Sequence, residues 1–297
     1  MEGIMMRSGD QYSIGVRKPD GEIEVKVEPY RSWAKDSSIW KLPVFRGVAS
    51  FFESLVVGIR CLMYSASFIE DEEEDAKKPG KEKTEEQKEK EEKWLMYGTM
   101  TFSVIFSIAL FIMLPYFLAG FLRNVTTSEG VIAVAEACVR MILFLGYLVL
   151  ISRMKDIQRV FMYHGAEHKC INCVEHGLEL NVENVRKSSR QHKRCGASFL
   201  LIVMLISIVF FLFIRVDSRI LLLVLRLLLI PVIAGVSYEF IRLAGRYDNR
   251  LVNILSKPGL WMQKMTTKEP DDEMIEVGIA SVEAVFDWRK WQKEENV

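Results

Sequence analysis

Histidine is scarce in this sequence, and neither charge is in excess. Four of the 297 residues are histidine, and 39 basic side chains match 39 acidic ones. The balanced net charge says nothing about partners. The basic stretches lack the interleaved aromatics typical of nucleic-acid binding, so nucleic acid is not expected as a partner. No apolar stretch follows the basic residue in the first ten positions, so no secretory signal peptide is expected.

The chain instead contains long apolar runs that predict membrane-spanning helices. These runs cover residues 99–121, 131–151, 197–214 and 219–236. The first carries no charge, and a helix of its length crosses the roughly 30 Å hydrocarbon core of a bilayer. The second carries Glu136 and Arg140, which are four residues apart and can pair on a face turned toward neighbouring helices. We predict a mainly α, polytopic helical membrane protein with about four transmembrane helices, in contact with the lipid bilayer.

Lysine and arginine are concentrated in two of the connecting segments, and this sets a predicted orientation. The segment between the second and third runs and the segment after the fourth are rich in both, whereas the first connection has one basic residue. The positive-inside rule then places both termini and the loop 153–196 in the cytosol. The membrane domain, including that loop, covers 95–236, and cytosolic C-terminal helices cover 237–297.

The residues before the membrane domain divide into three parts. Residues 1–44 alternate in polarity around the turn Lys18-Pro-Asp-Gly and predict a small β-hairpin region, with residues 2–7 as a candidate third strand. Residues 45–69 are rich in apolar side chains but contain Glu53 and Arg60, which favours an amphipathic helix in the membrane interface over a span. Residues 70–94 are almost wholly charged and predict a solvated linker or a frayed helix.

All four histidines lie in or near the loop 153–196, and two of them form a recognisable pattern. Gly177 is a natural helix stop, so a single helix is expected over 160–176, continuing from the second span. His164 and His168 share one face of it, and with Glu167 they spell H-x-x-E-H. In zinc enzymes with this motif the imidazoles bind the metal and the glutamate acts as general base.

We therefore interpret His164 and His168 as ligands of a divalent metal, zinc by preference, and Glu167 as the catalytic base. A third ligand is expected from an acidic residue, with Glu175 on the same helix face as the first choice and Glu179 as another.

Two other interpretations use the same segment. Cys170 and Cys173 form a C-x-x-C pair, and His192 with Cys195 forms an H-x-x-C pair, which together have the spacing of a closed Cys₃His structural zinc site. On a continuous helix the first two cysteines face away from His164, so the two metal sites need different backbones or separate ions. In the third interpretation no metal is bound, and the side chains serve packing and hydrogen bonding.

Several stretches of the sequence have a recognisable pattern: the opening MEGIMMRSGD, the run YHGAEHK at 163–169, the run from Leu178 into the third span, and the tail PGLWMQKMTTKEPDDEMIEV at 258–277. With these stretches the chain resembles, over nearly its whole length, the YqhQ family of bacterial membrane proteins. The resemblance implies a predicted metal-dependent enzyme in the bacterial inner membrane. It also implies a motif of His164, Glu167, His168, His192 and Cys195, which adds the last two as candidate metal ligands.

Two functions follow as hypotheses. The first is a membrane-embedded metal-dependent hydrolase whose H-x-x-E-H site faces the cytosol. The alternative is a non-enzymatic membrane factor that docks a partner within a membrane protein complex, such as protein-insertion or envelope machinery, while the His/Cys loop is structural.

Overall fold

A computed structural model of the protein describes residues 3–32, 38–76, 85–193, 195–214, 216, 218–246 and 250–295. Three strands come first: β1 (Gly3–Ser8), β2 (Gln11–Arg17) and β3 (Ile23–Pro29). The longer helices are α1 (Phe45–Ala76), α2 (Glu85–Ile108), α4 (Glu129–Ile151), α5 (Lys155–Glu175), α7 (Gly196–Phe213), α8 (Arg219–Arg246), α9 (Arg250–Thr266) and α10 (Asp272–Val285). The shorter ones are α3 (Leu114–Gly120), α6 (Val182–Lys187) and α11 (Trp288–Glu295). A mainly helical chain with a small N-terminal sheet was predicted and is confirmed.

The N-terminal strands form an antiparallel sheet in the order β1-β2-β3. The predicted turn is present, because Gly21 N donates to Lys18 O at 2.9 Å and Gly21 has a φ of 89°. The candidate third strand is also present as β1, in which Met5 lies opposite Ile14. The region is therefore a three-stranded meander, one strand larger than a hairpin.

Both faces of this sheet are covered by helices. On one face Ile4 and Met6 join a core with side chains of α5 and α10, and Ser13 Oγ donates to Ser281 O at 2.6 Å. On the other face the side chains that alternate along β2 pack against a stripe of α1. That cluster consists of Tyr12, Ile14, Val16 and Tyr30, with Val57, Cys61, Tyr64 and Phe68 from the helix.

Four helical segments are long and apolar enough to cross a membrane. They are Phe45–Phe68, Tyr97–Asn124, Glu129–Ile151 and Ile220–Leu243. The number of candidate spans agrees with the prediction, but one of the four segments is different. The apolar helix at Ser198–Phe213 is shorter than the other four, whereas the sequence analysis counted 197–214 as a span and assigned 45–69 to the interface.

Helix α1 is apolar enough to cross a membrane, whereas the sequence analysis placed it in the membrane interface. Its packing explains this difference. Its buried Glu53 accepts hydrogen bonds from Tyr30 Oη and from Ser32 Oγ, the latter at 3.0 Å. Its first turn is tied to α8, where Arg46 Nε donates to Glu239 Oε1 at 2.6 Å. Much of one face of α1 is thus occupied by polar partners and by the sheet. The interfacial location of this helix remains our prediction.

The predicted linker 70–94 is helical in its described parts. Helix α1 continues to Ala76, and α2 begins at Glu85. The rest of the predicted linker lies outside the described residues.

The chain divides into two compact units. The first, which we call the site unit, comprises Met1–Asp71, Val149–Ser207 and Leu228–Val297, and the second, the helical unit, comprises Glu72–Leu148 and Ile208–Leu227. The sheet, α5, α9 and α10 belong to the site unit. The predicted histidine loop therefore lies with the sheet and the C-terminal helices.

Helix α5 ends where the sequence predicts. Gly177 adopts a φ of 71°, Gly177 N donates to Val174 O, and Leu178 N donates to Cys173 O, both at 3.1 Å. This is the Schellman pattern, in which a left-handed residue lets the chain turn back and satisfy the last helical carbonyls. The predicted helix stop is confirmed.

Replacing Gly177 with alanine should destabilise the site unit by about 1–2 kcal/mol, because the left-handed conformation is strained for a residue with a Cβ. Gly58→Ala is the matched control, since no neighbouring atom lies within 4 Å of a Cβ at that position in α1. Thermal unfolding of the purified protein measures both changes. Equal melting temperatures for the two variants would contradict the assignment of Gly177 as the helix stop.

Candidate functional site

Helix α5 places the two histidines of the H-x-x-E-H pattern side by side. It is a separate helix, because the chain turns at residues 152–154 after α4 instead of continuing from it. The rings of His164 and His168 lie 4.4 Å apart between centroids. His168 is buried, and His164 and Glu167 are partly buried. The predicted pairing of imidazoles on one helix face is thus present.

Cys195 completes a cluster of three donor groups with these histidines. The ligating atoms of His164, His168 and Cys195 all lie within 4.8 Å of one another, and the Cys195 sulfur is 3.2 Å from His164 Nε2. Cys195 directly precedes the first residue of α7. The positive end of that helix dipole favours a thiolate at this position.

Hydrogen bonds fix which nitrogen of each imidazole faces the cluster. His164 Nδ1 lies 2.9 Å from Thr266 O, and His168 Nδ1 lies 2.7 Å from Arg190 O. Main-chain carbonyls only accept hydrogen bonds, so both Nδ1 atoms are protonated donors. Each Nε2 is then the ring nitrogen that can turn a lone pair toward a metal, which is the usual tautomer of metal-binding histidine.

The cluster shifts the protonation of its own members. Burial disfavours the charged form of His164, but the hydrogen bond to Cys195 and the nearby Glu167 carboxylate outweigh it and raise the pKa of His164 to about 9. Burial likewise disfavours the Cys195 thiolate, yet hydrogen bonds from His164 and His168 lower the pKa of that thiol to about 6. Near neutral pH Cys195 is therefore a thiolate beside a protonated His164, and a bound metal ion would take the place of the proton on His164 Nε2.

The segment that leads to Cys195 is held by polar side chains of α5. The buried Lys169 Nζ donates to Arg186 O and to Ser188 O, both at 2.9 Å. The buried Asn172 Nδ2 donates to the carbonyls of residues 189 and 191, at 2.6 and 3.0 Å. With the bond from His168, three side chains satisfy five main-chain carbonyls of an irregular segment that cannot satisfy them itself.

Helix α9 holds the same segment from the other side. The fully buried Gln263 accepts from His192 N at 2.9 Å and donates to His192 O at 2.8 Å. Beyond α9 the chain passes very close to α5, since a Cβ on Gly165 would lie 2.0 Å from Lys268 O. Only glycine permits this approach, and the approach brings Thr266 O to His164.

A cleft of about 530 Å³ opens on the cluster. Glu167 lines it together with the three donor residues, and β1 contributes Met5 to Ser8. The remaining wall is largely apolar and includes Ile171, Val282, Phe286 and Trp291. The cluster is therefore open to a ligand of moderate size.

Glu175 and His192, both predicted as ligands, line the same cleft but pair with each other. Their Oε2 and Nε2 atoms are 3.1 Å apart. Glu175 follows His168 by seven residues, about 10 Å along the helix axis, which takes its carboxylate beyond the cluster. The structure thus brings together His164, His168 and Cys195, while Glu175 and His192 form a neighbouring pair.

The cysteines of the alternative Cys₃His site face the opposite side of α5. Cys170 and Cys173 are fully buried in the core with residues such as Val277. Burial raises the pKa of both thiols. The structure does not bring these two cysteines to Cys195, and they lie on the face of α5 away from His164, as their spacing on a helix predicted.

Four residues that shape the site were not singled out from the sequence. They are Lys169, Asn172, Gln263 and Thr266. All except Asn172 lie in the two stretches at 163–169 and 258–277 on which the family resemblance rests, so that resemblance was the available signal. Asn172 had none.

Comparison with known proteins agrees with the family suggested by the sequence. Residues 42–288 match DUF1385, described as a protein of unknown function. The uncharacterized protein YqhQ of Bacillus subtilis (strain 168) is 36% identical over 283 residues, which cover 95% of this chain and 88% of that protein. No solved structure matches.

Replacing Lys169 with methionine should loosen the segment before Cys195. The change removes the buried ammonium group that donates to the carbonyls of Arg186 and Ser188, and a hydrogen bond from a charged group contributes about 1.5–3 kcal/mol. Hydrogen exchange of the peptide covering 186–193 should rise in this variant. Lys187→Met is the control, because the Lys187 side chain is 68% exposed and pairs with the exposed Glu183. Similar exchange in both variants would contradict the role given to Lys169.

Alkylation of Cys195 should report its low pKa after metal is removed with a chelator. Because the thiolate is the reactive form, the rate should fall by half near pH 6, well below the value of about 8.5 for an ordinary thiol. In His164→Gln the half-rate pH should rise, since the hydrogen bond that favours the thiolate is lost. His176→Gln, which changes a histidine outside the cluster, should leave the profile unaltered, and an equal shift in both variants would refute the pairing.

Proposed function

Because the chain belongs to the DUF1385 family, whose function is unknown, we propose its activity from the chemistry of the site. The protein is a membrane-embedded, metal-dependent hydrolase in which His164, His168 and Cys195 bind a divalent ion and Glu167 is the general base. The observation that carries this proposal is the convergence of two imidazoles and one thiolate at the base of an open cleft.

The donor set suits zinc. Imidazole nitrogen and cysteine sulfur are its preferred ligands, and three protein ligands with an open fourth position characterise catalytic zinc sites. Both imidazoles are held in the metal-binding tautomer by main-chain carbonyls, which indicates a prepared site. When bound, such an ion supplies a Lewis acid that activates water or polarises a substrate carbonyl or phosphoryl group.

Glu167 is placed to accept a proton beside the metal ligands. It is one residue before His168 on α5, lines the cleft, and lies close enough to favour the charged form of His164. A partly buried carboxylate in this position can take a proton from attacking water and hold it on an Oε atom. This is the role of the glutamate in the H-x-x-E-H pattern.

The pair formed by Glu175 and His192 provides a second place for a proton. His192 Nε2 lies 3.1 Å from Glu175 Oε2, and the His192 ring centroid is 6.0 Å from that of His168. A proton held between these atoms is available to a leaving group in the cleft. The substrate itself is expected to have an apolar portion, since Ile171, Val282 and Phe286 form part of the wall.

The burial of the C-terminal segment supports the enzyme over the docking factor. A docking factor would present the stretch 261–279 to a partner. In the structure Trp261 is 54% exposed, but Gln263, Thr267 and Val277 have no exposed surface. The stretch also builds the site by holding His164 and His192. Its main contribution is therefore to the site unit itself.

The four long apolar helices fit a membrane protein. We further propose the bacterial inner membrane, with both termini and the cleft on the cytosolic side, because lysine and arginine are concentrated in the segments on that side.

Elemental analysis of protein purified without chelators should find about one zinc or similar divalent ion per chain. His168→Ala and Cys195→Ala should lose it, because each removes one of three ligands. His176→Ala should retain it, since His176 is exposed and outside the cluster. Native protein without stoichiometric metal would refute the proposal.

Glu167→Gln should keep the metal but lose hydrolysis by about 10²–10⁴-fold, the usual contribution of a general base. The measurement is turnover of a panel of ester, amide and phosphodiester substrates by the metal-loaded protein. Glu179→Gln, an exposed residue just after α5, should retain full activity. A Glu167→Gln variant as active as the native protein would exclude Glu167 as the base.

A further inference from the structure

The helical unit contains a buried charge cluster that is separate from the proposed hydrolytic site. It consists of Glu136, Arg140 and Arg226, which are 6%, 3% and 5% exposed. Arg226 makes two hydrogen bonds to Glu136, from Nη1 at 2.7 Å and from Nη2 at 2.9 Å, and Arg140 Nη2 adds a third at 2.6 Å. Two guanidinium groups therefore share one carboxylate, and the cluster carries an excess positive charge.

The second arginine of this cluster has an unused donor. Arg140 Nε is satisfied, since it donates to Phe111 O at 3.0 Å. Arg226 Nε is buried and has no hydrogen-bond partner among the described residues. Buried N–H groups nearly always have a partner, so the unused donor calls for an acceptor. The excess positive charge favours an anionic one.

No described acid supplies the missing negative charge. Glu129, the other carboxylate nearby, is paired with Arg123 through two hydrogen bonds of 2.6 and 2.9 Å. Aromatic rings offer weaker compensation: the Arg226 guanidinium lies 5.1 Å from the ring centroid of Phe211 and 5.3 Å from that of Tyr116. These rings leave the net charge unchanged.

A cavity of about 810 Å³ adjoins the cluster and has an amphipathic lining. Arg226 and Glu136 line it together with the Arg123–Glu129 pair, and its walls include the apolar side chains of Ile132, Leu212 and Leu222. Glu129 begins α4, and Glu136 lies about 10 Å further along that helix. The polar part thus lies within reach of one end of two helices that are apolar enough to span a membrane.

We propose that this cavity binds an anionic glycerophospholipid, with the phosphodiester at Arg226 and an acyl chain along the apolar wall. A guanidinium with a free donor matches a phosphate oxygen, and a monoanion balances the single excess charge. The apolar wall favours a lipid over free phosphate. This inference is independent of the proposed hydrolase, because its residues belong to the helical unit.

The test is native mass spectrometry of the full-length protein with phosphatidylglycerol, phosphatidylcholine or inorganic phosphate, with the affinity of each measured by titration. The native protein should bind phosphatidylglycerol at least about tenfold more tightly than phosphatidylcholine, the factor that corresponds to about 1.4 kcal/mol. Arg226→Gln should abolish this preference. Arg153→Gln, which removes an exposed arginine of the site unit, should retain it.

Glu136→Gln provides a variant with the opposite expected sign. It leaves two arginines without a carboxylate, so its preference for phosphatidylglycerol should exceed that of the native protein, and the lipid should raise its melting temperature more. If the cluster only joins helices, both Arg226→Gln and Glu136→Gln should destabilise the protein with no change in lipid preference, which would overturn the proposal. Equal affinity of the native protein for the two lipids, or binding of inorganic phosphate as tight as that of phosphatidylglycerol, would overturn it as well.

Discussion

The site depends on the capture of an irregular segment by the polar side chains of one helix. The carbonyls of 186–191 have no strand or long helix to satisfy them, and Lys169, Asn172 and His168 of α5 supply the donors. Because the same helix carries His164, the element that provides two candidate ligands also positions the third, Cys195. The cluster is therefore a property of the packed site unit, and any loss of those buried donors acts on the ligand geometry as well as on stability.

The sequence predicted the part of the site that lies on one helix. Imidazoles four residues apart must share a face, and Gly177 must end the helix, because both follow from local geometry. Local geometry does not reveal that Gln263 of α9 is hydrogen-bonded to the main chain of His192, 71 residues away in the sequence. Nor does a helical wheel include distance along the axis, which is why Glu175 shares the face of His168 but not its cluster. Spacing placed Cys195 in the alternative Cys₃His site, and only the family resemblance put it in one motif with His164 and His168.

The fold shows a similar division between pattern and packing. The apolar runs predicted the helices, and the alternation of polar and apolar residues predicted the sheet. A helix or strand that buries one face needs apolar residues at matching intervals, so these patterns are visible in the sequence. Composition alone could not decide whether segment 45–68 or segment 198–213 is the candidate membrane span. The position of each helix depends on the side chains that pack against it. Glu53 is a poor residue for a span, yet Tyr30 and Ser32 satisfy it in the site unit. Cysteine shows the same dependence: Cys170 is a buried thiol and Cys195 a thiolate, although both lie in one loop.

The two charged clusters share a feature that distinguishes them from structural ion pairs. Burying a charge is costly, and a pair that only joins helices keeps that cost low when the charges balance and every donor is used. At the first cluster three metal-ligating groups, two imidazoles and the Cys195 thiol, lie together. One hydrogen-bonded pair would be enough for packing. Two arginines converge on Glu136, and one of them retains an unused buried donor. The first cluster has one more metal-binding group than a hydrogen-bonded pair needs, and the second has one more positive charge than Glu136 balances. The first therefore suits a bound cation and the second a bound anion.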